Sequence, residues 1–173
     1  MVKLYLVRHG ETIDNVNKIL QGQKQGKLTD TGCKQAKILG EKLKSKNINI
    51  YISSDLKRSV DTCKLIIGNK NDKIITTKLL RERDWGSFTN KYIPSIEDLN
   101  NPNKWPKDIE PISDLKQRAS EFILWIKSNY NGKIVLAVGH GIINKAIQSV
   151  YWNKPMNMIK PMANLEVRTL ILK

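Results

Sequence analysis

Cysteine, histidine and long apolar runs are scarce in this sequence of 173 residues, which contains two cysteines and two histidines. Cys33 and Cys63 lie far apart in helix-like segments, with neither C-x-x-C nor Cys/His metal-site spacing, so we expect two buried free thiols and no metal. No apolar run approaches the roughly 18 residues that cross a bilayer, and no basic and apolar leader precedes the first strand-like segment. These absences predict a cytoplasmic protein without a membrane partner.

Acidic residues are also scarce, with 16 Asp and Glu against 30 Lys and Arg and a net charge of +14. Such a balance favours anionic partners, for example phosphorylated ligands or nucleic acid. The lysines are dispersed along the chain, however, and the aromatic and basic pattern of RNA-binding domains is missing. We therefore expect no nucleic-acid partner, and solvated lysine-rich faces account for most of the excess.

Strand-like and helix-like segments alternate along most of the chain. The length fits a single domain, 1–173. The strand patterns lie at 3–7, 48–54, 73–77, 133–139 and 165–172. The helix patterns lie at 28–48, 55–68, 114–130 and 140–152. This alternation predicts an α/β fold whose largely parallel sheet is covered by helices.

Residues 84–113 interrupt the alternation with four prolines and several aromatic residues in no steady period. A structureless loop of that length is unusual inside a compact domain. Two interpretations remain open, a linker-like excursion and a partly helical lid or pocket wall. The second would make 84–113 the segment that sets substrate specificity.

Both histidines follow strand-like segments. His9 follows the strand at 3–7, and His140 follows the strand at 133–139. Ligands of open α/β sheets bind at the carboxyl ends of the strands, where the following helices direct their positive N-termini. A lone histidine is more often a core or surface residue, but two at equivalent strand ends, each beside a glycine, favour a functional site.

Two arginines can reach the same edge. Arg8 ends the first strand, and Arg58 lies in the first turn of the helix that follows the strand at 48–54. A guanidinium group is a planar, permanently charged fork that matches two phosphate oxygens, so this pair predicts a phosphate ligand. Glu82 follows an apolar pair and would by default be a solvated surface carboxylate.

Four blocks in this order resemble the histidine phosphatase superfamily, also called the phosphoglycerate mutase-like branch. They are RHGET at 8–12, SSDLKRS at 53–59, LRERDWG at 80–86 and GHG at 139–141. The segments LTDTGCKQA at 28–36 and ANLEV at 163–167 extend the similarity through nearly the whole chain. The resemblance implies a three-layer α/β/α fold with a mostly parallel central sheet, phosphoglycerate mutase-like.

The resemblance also implies a role for each matching position. His9 would be the nucleophile that takes the phosphoryl group on a ring nitrogen. Arg8, Arg58 and a cationic His140 would hold the phosphoryl oxygens without a metal or a cofactor. Glu82 would act as general acid and base. The further substrate-binding positions are Asn15, Gln21 and Gly22.

The chain departs from the family pattern close to these positions. Gly139 replaces a serine that often precedes the second histidine, and Gln25 replaces a frequent acidic residue. The catalytic set itself is intact. Arg81 and Arg83, which flank the proposed acid, are expected to point away from the cleft.

Three functions are compatible with this pattern. The leading hypothesis is a phosphatase that hydrolyses phosphomonoesters of small metabolites, because only one stretch of about thirty residues can cover the site and a mutase must exclude water from its phosphohistidine. The alternatives are a cofactor-dependent phosphoglycerate mutase and, in another class, a basic binding module with a vestigial site. The expected partner is a small-molecule phosphomonoester, and association into a homodimer is left open.

Overall fold

The computed structural model describes residues 1–69 and 72–173. Its strands are β1 (Val2–Arg8), β2 (Ile50–Ser54), β3 (Ile74–Thr77), β4 (Ile134–Gly139) and β5 (Val167–Leu172). They form one sheet in the order β3-β2-β4-β1-β5. Every neighbouring pair is parallel except β1 and β5, which are antiparallel. The predicted mostly parallel sheet is confirmed.

Four of the five helices correspond to predicted ones. The helices are α1 (Ile13–Val16), α2 (Asp30–Leu43), α3 (Lys57–Ile67), α4 (Ile112–Asn129) and α5 (Gly141–Trp152). Thr29 caps α2 by accepting a hydrogen bond from the Gly32 N–H at 2.9 Å. The prediction that this helix reaches residue 48 is wrong, because it ends at Leu43 and tightens into a short 3-10 turn at Lys44–Lys46.

Helices cover both faces of the sheet, as the three-layer prediction requires. Successive side chains of a strand point to opposite faces. On one face, the side chains of β1 and β4 that pack with α4 and α5 are Leu4, Leu6, Val135 and Ala137. On the other face, the side chains of the same strands that pack with α2 and α3 are Tyr5, Val7, Leu136 and Val138. Burial on both faces explains why these strands are almost continuously apolar.

The cysteines differ in burial. Both are free thiols; Cys63 is buried between α3 and the sheet, whereas Cys33 on α2 is half-buried. The prediction of a buried thiol is therefore correct for Cys63 and wrong for Cys33. In the described parts of the chain, no helix combines the length and the apolar composition that crossing a bilayer requires.

Segment 84–113 folds into short 3-10 turns around an apolar cluster of its own. The turns are Gly86–Phe88, Ile93–Ser95 and Pro102–Lys104. The cluster consists of Trp85, Phe88, Ile96 and Ile109, with Leu20, Leu99, Trp105 and Ile142 against it. The guanidinium carbon of Arg83 lies 4.8 Å from the ring centroids of Trp85 and of Trp105. Because Ile142 packs against the cluster, the segment is attached to the first turn of α5.

A glycine in α2 sets the spacing between α2 and α3. A Cβ atom at Gly40 would lie 2.4 Å from the carbonyl oxygen of Ile66. Gly40→Ala is therefore expected to lower the free energy of unfolding by about 1–3 kcal/mol through overpacking, although the same change in an exposed helix raises it. Urea denaturation measures the difference. Lys37→Ala, exposed on the same helix, is the control, and a Gly40→Ala variant as stable as the parent would contradict the prediction.

Candidate active site

The carboxyl ends of β1 and β4 lie side by side and carry the two histidines. Arg8 pairs with Gly139 in the parallel register, and the His9 backbone N–H donates to the Gly139 carbonyl oxygen at 3.0 Å. The imidazole centroids of His9 and His140 are 5.1 Å apart, with their planes inclined by 58°. The prediction that both histidines meet at one edge of the sheet is confirmed.

The hydrogen bonds of His9 define its tautomer. Its Nδ1 lies 2.7 Å from the carbonyl oxygen of Gly10, and since a carbonyl can only accept, Nδ1 carries the proton and Nε2 has a free lone pair. Burial, with help from the positive charge of Arg58, holds the pKa of His9 well below its ordinary value. The ring is therefore neutral. The Gly10 N–H donates to Thr62 Oγ1 at 3.0 Å, which fixes this turn against α3.

Arg58 is almost completely buried beside His9, with 1% of its surface exposed. Its Nη2 donates to the Gly22 carbonyl oxygen at 2.8 Å, and its Nη1 donates to the Lys24 carbonyl oxygen. Burial lowers the pKa of Arg58 to about 10, so the group is still cationic at neutral pH. Hydrogen-bonded carbonyl oxygens offset the cost of removing this charge from water.

His140 supports Arg58 from behind. Arg58 Nε donates to His140 Nδ1 at 3.1 Å, so Nδ1 carries no proton, and His140 Nε2 lies 3.2 Å from Ser59 Oγ. Burial and the positive charge of Arg58 lower the pKa of His140 well below its ordinary value. This environment favours a neutral ring over the expected cationic one, because the ring is buried against an arginine that donates to it.

Arg8 and Glu82 face each other at the start of α5. Arg8 Nη1 donates to the Met162 carbonyl oxygen at 2.7 Å, while its buried Nε has no partner in the described structure. Burial lowers the pKa of Arg8 and the negative charge of Glu82 opposes that shift. Glu82 Oε1 accepts from the N–H groups of Ile142 and Ile143 at 3.0 and 3.1 Å. The helix N-terminus thus holds Oε1.

Glu82 Oε2 is the less constrained carboxylate oxygen. It accepts one hydrogen bond, from the Ile142 N–H at 3.1 Å, and a Cβ atom at Gly141 would lie 3.6 Å both from this oxygen and from Arg8 Nε. Glycine at this position keeps the space beside both groups open.

Arg118 and Glu110 hold the backbone that carries Glu82. Two hydrogen bonds of 2.8 Å join the Arg118 guanidinium to the Glu110 carboxylate. Arg118 Nη1 also donates to the carbonyl oxygens of Leu79 and Arg81 at 3.1 and 2.9 Å. The pair therefore connects α4 and the end of segment 84–113 to the turn before the carboxylate.

The arginines that flank Glu82 point away from it. Arg81 forms two hydrogen bonds with the Asp55 carboxylate, at 2.8 and 2.6 Å. Arg83 donates to the backbone carbonyl oxygen of Glu110. The expectation for both side chains is confirmed.

These groups surround a cleft of about 250 Å³. The sequence-predicted residues that line it are Arg8, His9, Asn15, Gln21, Gly22, Arg58 and Glu82. His140 is fully buried and does not contribute to the lining, so its direct contact with a substrate stays a prediction. Gln21 is 7% exposed, and its Oε1 has no partner in the described structure.

Asn15 is fixed by its neighbours. Its Oδ1 accepts from the Thr12 backbone N–H at 3.2 Å and from Asn164 Nδ2 at 3.3 Å. Asn164 Nδ2 also donates to the His9 carbonyl oxygen at 2.9 Å. Both hydrogen bonds occupy Asn15 Oδ1, so the side-chain N–H groups of Asn15 are available to bind a ligand in the cleft.

Sequence reasoning missed several supporting residues. Ser59 and Thr62 lie one and four positions beyond Arg58, so helical spacing could have identified Thr62 as a residue of the same face. The buried Asn144 Nδ2 donates to the Val7 carbonyl oxygen at 3.0 Å, and nothing in the sequence around it signals that contact. Lys145, one position further along α5, lines the cleft.

Glycine at position 139 has a steric explanation. A Cβ atom there would lie 2.3 Å from Asn144 Oδ1. The departure from the serine of the family pattern is therefore matched by an asparagine that fills the same space.

The sequence is similar to those of known proteins. The profile of the histidine phosphatase superfamily (branch 1) matches residues 4–172. The probable phosphoglycerate mutase GpmB from Yersinia pestis (strain Pestoides F) is 38% identical over 96 residues, which are 56% of this chain and 45% of that protein. The match thus spans somewhat less than half the length of such curated relatives.

Solved structures share the fold over almost the whole chain. YhfR from Bacillus stearothermophilus has a TM-score of 0.89 at 27% identity, over 98% of this chain and 90% of that chain. A mycobacterial glucosyl-3-phosphoglycerate phosphatase has a TM-score of 0.88 at 23% identity, over 98% and 92% of the two chains. The second likeness concerns the fold alone. From the extent of the profile match, the chain belongs to the histidine phosphatase superfamily (branch 1).

Proposed function

We propose that this protein hydrolyses phosphomonoesters of small metabolites through a phosphohistidine on His9. The observation that carries the proposal is the 2.7 Å hydrogen bond between His9 Nδ1 and the Gly10 carbonyl oxygen. It leaves Nε2 of a neutral, buried ring as the nucleophile. Arg8 and Arg58 bring two cations to the same cleft. Phosphoryl transfer depends chiefly on positioning and on charge stabilisation, and these residues supply both.

The first step transfers the phosphoryl group to the enzyme. His9 Nε2 attacks phosphorus, the bond from phosphorus to the ester oxygen breaks, and Glu82 in its protonated form gives that oxygen a proton. Arg8 and Arg58 donate N–H groups to the phosphoryl oxygens. His140 keeps Arg58 in place through its Nδ1.

The second step releases phosphate. Glu82, now a carboxylate, takes a proton from a water molecule. The oxygen of that water attacks phosphorus, and the bond between His9 Nε2 and phosphorus breaks. His9 returns to its neutral form. The proton from water replaces the one that left with the alcohol, so Glu82 is restored and the cycle is balanced with water as the only co-reactant.

The size of the cleft is compatible with hydrolysis. A volume of about 250 Å³ accommodates a phosphoryl group together with water, whose share of liquid volume is about 30 Å³. Segment 84–113 contributes Trp85 and Ile93 to the lining. We propose it as the specificity-setting wall of a single domain, 1–173. The curated relatives favour one alternative, a cofactor-dependent phosphoglycerate mutase.

Replacement of His9 tests the nucleophile. We expect His9→Ala to lower phosphate release from p-nitrophenyl phosphate by at least about a thousandfold, because the covalent route is lost. With radiolabelled substrate, the parent should form an acid-labile, base-stable phosphoenzyme and the variant none. A variant that retains activity, with a circular dichroism spectrum like that of the parent, would reject the assignment.

The choice between phosphatase and mutase needs its own assay. The parent protein is incubated with 3-phosphoglycerate and a trace of bisphosphoglycerate, and isomer conversion is measured alongside phosphate release. The proposal predicts that phosphate release is faster. Isomer conversion faster than phosphate release would contradict the phosphatase proposal and favour the mutase.

The contribution of proton donation by Glu82 to the rate should depend on the leaving group of the substrate. We expect Glu82→Gln to lower the hydrolysis of an alkyl phosphate by about 10²–10⁴-fold, and that of p-nitrophenyl phosphate much less, because p-nitrophenolate leaves without a proton. Arg118→Met should show the same selectivity in weaker form, since Arg118 holds the backbone before Glu82. Rates across a leaving-group series measure both effects. Lys127→Met, exposed on the same helix as Arg118, is the charge-matched control, and equal losses with both substrates would argue against proton donation.

The two histidines should stay neutral in mildly acidic solution. Burial and Arg58 lower both pKa values, so the unfolded chain, with histidine pKa values near 6.5, binds more protons than the folded one below that pH. The free energy of unfolding should therefore fall as the pH decreases below about 6.5. NMR titration of the two imidazole rings gives the folded values directly. A midpoint at or above 6.5 for either ring would refute this prediction.

A further inference from the structure

The wall of the cleft beyond the phosphate-binding arginines is mostly apolar. Its side chains include Ile19, Leu20, Trp85, Ile93, Ile142 and Met162. One cation, Lys145, interrupts this wall among the described residues that line the cleft. The cleft therefore combines a cationic end at Arg8 and Arg58, an apolar middle and a single ammonium group.

Lys145 lies one helical turn from the catalytic end of the cleft. Gly141, at the first position of α5, adjoins Arg8 and Glu82, since a Cβ atom there would lie 3.6 Å from both side chains. Residues four apart share a helix face, and four residues advance the axis by about 6 Å. The lysine is thus placed to meet the part of a small substrate that lies beyond its phosphoryl group.

Lys145 has no counter-ion among the residues that the structure describes. It is half-buried, and no hydrogen bond or ion pair to it occurs within residues 1–69 and 72–173. Lys24, near the same cleft, differs because it is paired with Asp14 at 3.2 Å and donates to Asn90 Oδ1 at 2.8 Å. Arg58 likewise has protein partners, since its Nε donates to His140 Nδ1 and its Nη2 donates to the Gly22 carbonyl oxygen. An ammonium group without such partners in a partly apolar cleft attracts an anionic group from the ligand.

We propose that Lys145 binds a carboxylate of the substrate, which makes the preferred substrates phosphomonoesters of hydroxy acids with an apolar connecting chain. A lysine is a compact single charge that matches one carboxylate, whereas a guanidinium fork binds two phosphoryl oxygens at once. The apolar wall favours an alkyl or aryl chain over a hydroxyl-rich one. Hydrolysis of these compounds rests on the proposed function, but their binding can be measured independently.

The test compares one phosphate ester as the free acid and as its amide. O-phospho-γ-hydroxybutyrate and its primary amide have the same shape and differ by one negative charge. We expect the parent to favour the acid by about tenfold in kcat/KM, equivalent to about 1.4 kcal/mol. Lys145→Met should bring the ratio of acid to amide close to one, and Lys145→Glu should invert it. Lys127→Met, which removes the same charge from an exposed site on α4, should keep the ratio of the parent.

Calorimetric binding to the His9→Ala variant separates this inference from the proposed function. Suppose that the parent hydrolyses neither compound, but that His9→Ala binds the acid about tenfold more tightly than the amide and the added Lys145→Met change abolishes that difference. The phosphatase proposal then fails while the role of Lys145 stands. If hydrolysis proceeds through His9 with equal preference for acid and amide, the phosphatase stands and the role of Lys145 is rejected. A preference that Lys145→Met leaves intact also rejects it.

Discussion

A guanidinium group buried at the end of a parallel sheet is the constraint around which this site is organised. Arg58 is 1% exposed, and a charge so far from water is tolerated only where its donors meet acceptors. The carbonyl oxygens of Gly22 and Lys24 and the ring nitrogen of His140 provide them. Gly22 and Lys24 lie in the loop after α1 and His140 follows β4, so that loop, the helix α3 and the end of β4 are fixed relative to one another. The cleft inherits its shape from this arrangement.

Burial and the charge of Arg58 together determine the protonation of the histidines. Both lower the pKa values of the two rings, while the Gly10 carbonyl defines the tautomer of His9 and Arg58 that of His140. The protein thereby separates two tasks that a histidine pair could share. Permanent positive charge comes from the arginines, while His9 retains the lone pair that a nucleophile requires.

The sequence allowed the sheet and the meeting of the histidines to be predicted, because both depend on local patterns. Apolar strands followed by Arg8-His9-Gly10 and by Gly139-His140-Gly141 place these groups at one sheet edge by topology alone. The charge of His140 was misjudged, since its burial against Arg58 is a tertiary effect. The length of α2 was overestimated because residues after Leu43 keep helix-forming side chains but tighten into a 3-10 turn.

The conformation of segment 84–113 and the location of Lys145 in the cleft could not be predicted from the sequence. The apolar residues of the segment pack on each other in three-residue turns, so they carry neither helical nor strand period. Lys145 is one of many dispersed lysines, and only the cleft distinguishes it from a solvated one. Roles of this kind depend on what a side chain faces, and that is settled by contacts between distant parts of the chain.

Gly139 and Asn144 carry an evolutionary consequence. The asparagine fills the volume that a side chain at 139 would need, with 2.3 Å between its oxygen and a Cβ atom. Restoring the serine of the common family pattern therefore requires a smaller or reoriented neighbour first, and truncating the neighbour alone leaves a void and frees the Val7 carbonyl. The side chain that one of these positions can accommodate therefore depends on the size and orientation of the other.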